Sequence, residues 1–315
     1  METCRVPTSD GWTLAAEHRE PEGSPAGVVV LAGHALLANR RSLDRPRGGG
    51  LVSRLAARGF RVYTFDVRGH GESRPRTDEG GRWTYDDIVR EDFPALVQFV
   101  SRRHPEEALA VLGHSLTGHA ALATLAWNPG LPVSAAVTFG ANEWLRRLEP
   151  DRRRWREKIL CAAAMQVAAA LFGRLPARLL RQGSDDEARA VIEQLAWWVR
   201  RNRWLARDGF DYLAGLAEIR VPVLAISGAA DRLLCTPESF RIFHEHLTST
   251  RVNRIMVRGC EWGVSKDPGH MDLVLDPIWR PVWDRAADWM LENVHNAHAR
   301  AESHHGEHGH LAASS

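Results

Sequence analysis

The sequence predicts an α/β protein with a mostly parallel central sheet, helices on both faces and a helical insertion. Three observations point there. Apolar, β-branched runs such as AGVVVLA (26–32) and VPVLAIS (221–227) are short and nearly continuous, as in strands buried on both faces. Segments of helical length separate such runs, the pattern of parallel strands joined by helical crossovers. Strand signals also stop at Ala141 and resume only at 221, and residues 142–217 between them read as wholly helical.

In chain order, the strand at 26–32 is followed by a helix over 50–58 and the strand FRVYTFD at 60–66. A helix over 85–103, a strand over 109–112, a helix after Ser115 and a strand over 133–139 complete the first half. After the insertion come the strand at 221–227, a helix over 237–247, a strand over 254–257 and a closing helix through 288–294. The expected units are therefore a core in two parts (1–141 and 218–294), the insertion (142–217) and a tail (295–315). The tail carries His304, His305, His308 and His310 among glycine and serine without an apolar period, so it is expected to be disordered and to hold no physiological metal.

The chain has 315 residues, enough for one large domain with an insertion. Its 41 basic and 39 acidic residues nearly cancel and only two lysines occur, which argues against a nucleic-acid footprint. Cys4, Cys161, Cys235 and Cys260 are too scattered for a disulfide or metal framework, and a reducing compartment is expected. The opening METCRVPTSDGWTLAAEH lacks a basic stretch followed by an apolar core, so the reading is cytoplasmic. No cofactor is expected. The glycines of DVRGHGES (66–73) suit a tight turn after a strand, and no Lys-Ser or Lys-Thr follows them to cradle a phosphate.

The chemistry-bearing stretch is LAVLGHSLTGHAALATLA (109–126), which places Ser115 between an apolar strand and an alanine-rich helix. A serine on such a turn can be aimed at a base while backbone N–H groups face a developing oxyanion. Serine is also a favoured helix N-cap, so a purely capping role stays open on this stretch alone. The pattern G-x-S-x-G is imperfect here, because Thr117 stands two residues after the serine and the glycine follows at Gly118.

GHSLTG, DVRGHGES, SGAADRLLCTP (227–237) and DPGHMD (267–272), each after a strand or near the end of the chain, together resemble the α/β-hydrolase fold in its order Ser, Asp, His. The resemblance covers nearly the whole chain and is nearest to bacterial esterase-like and lysophospholipase-like hydrolases. It implies Ser115 as nucleophile, His270 as base and Asp231 as the acid that orients the imidazole. His270 stands about forty residues beyond Asp231, after the extra loop GCEWGVSKDPG. His244 and His246 are its rivals, but they fall within a helix where an exposed histidine is expected. The resemblance also implies the backbone N–H groups of His34 and Leu116 as the oxyanion hole, and a slip of one residue moves the first role to Ala35. The side chains of His34 and His114 are expected to pack or hydrogen-bond locally.

The insertion lies where such hydrolases carry a lid or cap. Arg146, Arg147, Arg152, Arg153, Arg154, Arg156 and Lys158 precede the apolar run ILCAAAMQVAAALF (159–172), which is too short to span a bilayer. Met165 and Leu171 are the expected contacts of an acyl group, and Trp197, Trp198 and Trp204 pack the cap or line that pocket. A small-molecule ester is the expected partner. A membrane surface attracted by the arginines is less favoured than a cap that buries its apolar face on the core. The reaction expected is ester hydrolysis through an acyl-enzyme. A thioesterase, amidase or acyltransferase would use the same groups, and a non-catalytic binding module on this fold is the alternative of a different class.

Overall fold

The computed structural model describes residues 2–309, with side chains described through Val294. It consists of β1 (Glu2–Pro7), β2 (Thr13–Arg19), β3 (Val28–Gly33), α1 (Leu51–Ala57), β4 (Arg61–Phe65), α2 (Tyr85–Asp87), α3 (Phe93–Arg103), β5 (Ala108–His114), α4 (Leu116–Trp127) and β6 (Ala135–Phe139), followed by the inserted elements. These are α5 (Arg152–Phe172), β7 (Arg174–Leu175), β8 (Glu187–Ala188), α6 (Arg189–Arg201) and α7 (Tyr212–Gly215). The chain then returns to the sheet with β9 (Val223–Gly228), α8 (Pro237–His244), β10 (Val252–Val257), α9 (Asp272–Leu275) and α10 (Arg280–Gly309). The histidine-rich stretch from His295 lies outside the residues whose side chains are described.

Eight strands form one sheet in the order β1-β2-β4-β3-β5-β6-β9-β10. From β4 to β10 every pairing is parallel, whereas β1 and β2 add an antiparallel edge. That edge carries little apolar signal: in β1 only Cys4 and Val6 turn inward. Along β3, Val29 and Leu31 face one apolar core, with Val97 of α3 and Leu122 of α4, while Val28 and Val30 face the other, with Leu55 of α1 and Trp283 of α10. This alternation on a strand buried on both sides explains its unbroken hydrophobicity.

Three expectations change in detail. The helix expected over 85–103 is divided by a π-helical turn at Ile88–Asp92. Pro94 enters there without an N–H, and the wider turn accommodates it. The insertion is not wholly helical, because β7 and β8 form a short antiparallel pair. Lys158 also leaves the basic group assigned to it: it is fully buried, with Nζ donating to Glu149 Oε2 at 3.0 Å. Trp198 and Trp204 are buried, and both pack against Tyr85, the first edge-on and the second tilted, so they join the insertion to the core. Among the described residues no helix is long and apolar enough to cross a membrane.

Candidate active site

The loops at the C-terminal ends of β3, β5, β6 and β9 converge on a cavity of about 1130 Å³, the position where open parallel sheets bind ligands. A second cavity of about 980 Å³ lies at the opposite ends of β5, β6 and β9, between Glu107, Pro132 and Thr250, and contains none of the expected site residues.

Ser115 joins β5 to α4 with φ 53° and ψ −111°, a conformation that costs energy for any residue with a Cβ. Its N–H donates to the Phe139 carbonyl at 2.8 Å, and its side chain makes no capping bond, so the N-cap role is not taken up. The tight turn depends on close backbone approach. A Cβ on Gly113 would come within 2.5 Å of Gly118 Cα, and one on Gly118 within 2.9 Å of the Ala141 Cβ. Thr117 occupies the position of the missing glycine because Gly33 makes room for it: a Cβ on Gly33 would lie 2.7 Å from both Thr117 Cβ and Phe65 Cζ. Thr117 Oγ1 accepts from the His114 N–H at 3.1 Å, which ties the elbow down.

His270 and Asp231 meet across the same cavity, with His270 Nδ1 donating to Asp231 Oδ2 at 2.6 Å. Asp231 also accepts from the N–H groups of Leu233, Leu234 and Cys235. Burial alone would raise its pKa. The bond from His270 and the backbone donors outweigh that and hold the carboxyl below its ordinary value. The long loop before His270 is positioned by Gly228, where a Cβ would fall 2.2 Å from the Pro268 carbonyl, and by Gly140, where a Cβ would press on the imidazole at 3.0 Å. His114 Nε2 donates to the His270 carbonyl at 3.1 Å. Burial first, and the nearby His270 second, depress the His114 pKa to about 3. His270 Nε2 is buried with no hydrogen-bond partner among the described residues, and Ser115 lines the cavity with it.

The rival histidines are elsewhere. His244 is not exposed as expected but fully buried, because it follows Phe240 by four residues and shares the inner face of α8. Neither His244 nor His246 lines the cavity.

On the oxyanion side, Leu116 lines the cavity as the first residue of α4, where an N–H has no intrahelical acceptor. His34 does not reach the cavity. Pairing of β3 continues to Gly33, and the His34 ring is buried behind the wall, where its Nε2 accepts from the Val67 N–H at 3.2 Å. The cavity is reached by Ala35 and Leu36, whose N–H groups have no acceptor among the described residues.

From the insertion, Cys161, Ala162 and Met165 line the cavity. Leu171 does not: it is 77% exposed. Six residues at about 100° each leave it about 120° around the helix from Met165. Two further lining residues escaped the sequence reading. His119 and Glu143 line the same cavity as Ser115, and their signal was positional: His119 follows the serine by one helical turn, and Glu143 lies in the loop that follows β6. Among the described residues no group of three or more His, Cys, Asp or Glu could hold a metal ion.

The profile of the family described as serine aminopeptidase, S33, matches residues 47–268. A monoacylglycerol lipase of Mycolicibacterium smegmatis is 37% identical over 134 residues, covering 42% of this chain and 41% of the lipase. Human lipase member N is 32% identical over 129 residues, covering 36% and 32%. The chain thus spans about two fifths or less of these relatives' lengths. Among solved structures, an esterase from Exiguobacterium antarcticum superposes with TM-score 0.59 at 18% identity, covering 93% of this chain and 99% of the esterase. An esterase from Pyrococcus furiosus gives 0.61 at 17%, covering 93% and 91%. At such identities the likeness is one of fold. With a profile match over most of its length and the α/β-hydrolase sheet built around it, the chain belongs to the serine aminopeptidase S33 family of α/β hydrolases.

Proposed function

We propose that the protein is a serine hydrolase that cleaves a carboxylic ester, with a lipophilic acyl group, through an acyl-enzyme. The observation that carries this reading is the strained Ser115 turn facing the cavity that the His270–Asp231 pair also faces. Ser115 Oγ attacks the acyl carbon while its proton passes to His270 Nε2. Asp231, held ionised by its donors, keeps the imidazole proton on Nδ1 and stabilises the cation that forms. The N–H of Leu116 and those of Ala35 and Leu36 border the place where the carbonyl oxygen gains charge. The alcohol departs with the proton from His270. Water then attacks the acyl-enzyme, giving its proton to His270, which returns one to Ser115 as the acid is released.

The segment between β6 and β9 serves as the cap, and its apolar wall at Ala162 and Met165 supports a lipophilic acyl group. The matched lipase relatives favour an ester. The family description favours an amide as the second reading, since the same groups would cleave one. A fluorophosphonate probe should label Ser115 in the wild type and not in Ser115→Ala, and His270→Ala should lower the labelling rate and ester hydrolysis by several orders of magnitude while His246→Ala does not. Absence of labelling would point to a binding module. Faster turnover of an aminoacyl anilide than of any ester in a chain-length panel would establish the amide reading instead.

A further inference from the structure

The cavity is apolar along α5, where Cys161, Ala162 and Met165 line it, but beside the nucleophile its wall is polar in a way that triad chemistry does not use. His119 lies one helical turn beyond Ser115, about 6 Å along the axis of α4. Its Nδ1 is 2.9 Å from the Tyr85 hydroxyl and 2.9 Å from Glu143 Oε1. Both His119 and Glu143 are more than nine-tenths buried, at 7% and 4% exposed, yet both line the cavity. Glu143 Oε1 has no hydrogen-bond partner among the described residues, because its contact with the imidazole is close but poorly aligned. A buried carboxylate oxygen without a donor is unfavourable, and a carboxylate can only accept.

We infer that Glu143 and His119 form a subsite that recognises a hydroxyl group on the substrate, close to the scissile ester carbonyl. The inference rests on the hydrolase reading above and specifies its substrate class. The ligand group must donate a hydrogen bond to Glu143. It is neutral rather than cationic, because Arg45, Arg178, Arg181 and Arg232 also line the cavity and disfavour a positive charge there. The hydroxyl sits on either the acyl or the alcohol side of the ester. Tyr85 is a positioning residue that holds the imidazole edge toward Glu143.

The test compares matched esters within each enzyme variant, so that losses of folded protein cancel. On the acyl side the pair is para-nitrophenyl butyrate and para-nitrophenyl β-hydroxybutyrate; on the alcohol side it is propyl butyrate and hydroxypropyl butyrate. In the wild type one pair should show kcat/KM higher for the hydroxylated ester by about tenfold or more, as a hydrogen bond to a charged group allows. The pair that shows it identifies the side. Glu143→Leu should bring that ratio close to one, and Glu143→Gln, which keeps an acceptor oxygen and the side-chain shape, should leave an intermediate ratio that stands as the readout if the leucine variant does not fold. A ratio near one for both pairs in a wild-type enzyme whose Ser115 is labelled overturns the subsite and leaves the hydrolase reading intact. A high ratio unchanged by both Glu143 variants and by His119→Gln overturns the assignment to these residues. Failure of the probe to label Ser115 overturns the hydrolase reading and this inference with it.

Discussion

Thr117 shows how a single residue departs from a motif without dissolving it. The glycine expected two residues after Ser115 is absent, and the space it would have provided comes from Gly33 on the neighbouring strand. The two positions are therefore coupled. Gly33→Ala should cost about 1–3 kcal/mol by overpacking. Combined with Thr117→Gly, the loss should be smaller than the sum of the single changes by about 0.5 kcal/mol or more, as residues in contact show. Phe65 prevents full relief, because its Cζ meets the same added Cβ. Urea unfolding of the four proteins measures the coupling, and strictly additive losses would separate the two sites. Nothing in a linear motif marks this compensation, since Gly33 ends β3 and Thr117 lies in the first turn of α4.

At the scale of the element, α5 shows what a hydrophobic run leaves undecided. Its sequence from Ile159 to Phe172 is apolar nearly all round, so periodicity could not select the face that meets the cavity. The structure turns Met165 inward and leaves Leu160 and Leu171 outward. Met165→Glu should accordingly lower kcat/KM for long acyl esters far more than for acetyl esters, since each buried methylene contributes about 0.8 kcal/mol. Leu171→Glu should leave both close to wild type. Equal losses on short and long esters in Met165→Glu with an unchanged melting temperature would count against an acyl pocket. The same helix hides its one lysine, where the run of basic residues pointed to solvent. Lys158 reaches Glu149, which also accepts from Thr236 at 2.6 Å beside the loop that carries Asp231, so Glu149 ties this ion pair of the insertion to the core.

Across the whole molecule, the buried histidines His34, His114 and His244 contribute to the response to acid. His34 and His114 have pKa values near 3, and His244 about 4, each depressed chiefly by burial. In the unfolded chain all three titrate near the usual histidine value of about 6.5. Above that value both states are neutral and no stability depends on these groups. As pH falls below it the unfolded state binds protons that the folded state refuses, so stability is lost progressively until the folded values are reached. At about pH 5 the loss is about 2 kcal/mol for each histidine. Denaturant unfolding should therefore show a steep decline between about pH 7 and pH 5, and His244→Gln should flatten it by about one histidine's share. An unchanged slope in that variant would show that His244 is protonated in the native state.

What the linear sequence determined by itself is the part of this protein that depends on local pattern. Parallel strands buried on both faces must be continuously apolar, so β3, β5, β6 and β9 were legible, as were the turns with Ser115 after β5 and Asp231 after β9 and the loop with His270 beyond β10. The antiparallel edge was not, because β1 turns only Cys4 and Val6 inward and β2, although it buries Leu14, Ala15 and Ala16, lacks the continuous β-branched run of the central strands; β2 owes its place to pairing with β4, and β1 to pairing with β2. Tertiary structure alone decided which atoms face the cavity. Strand pairing through Gly33 carries His34 behind the wall and brings Ala35 and Leu36 to it, helix phase separates Met165 from Leu171, and chain crossing brings Glu143 from the loop after β6 to His119 on α4. Each of these depends on a rotation about an element's axis or on contact between distant segments. Local propensity fixes neither, because it reports the conformation of a segment and not the direction in which its neighbours require it to face.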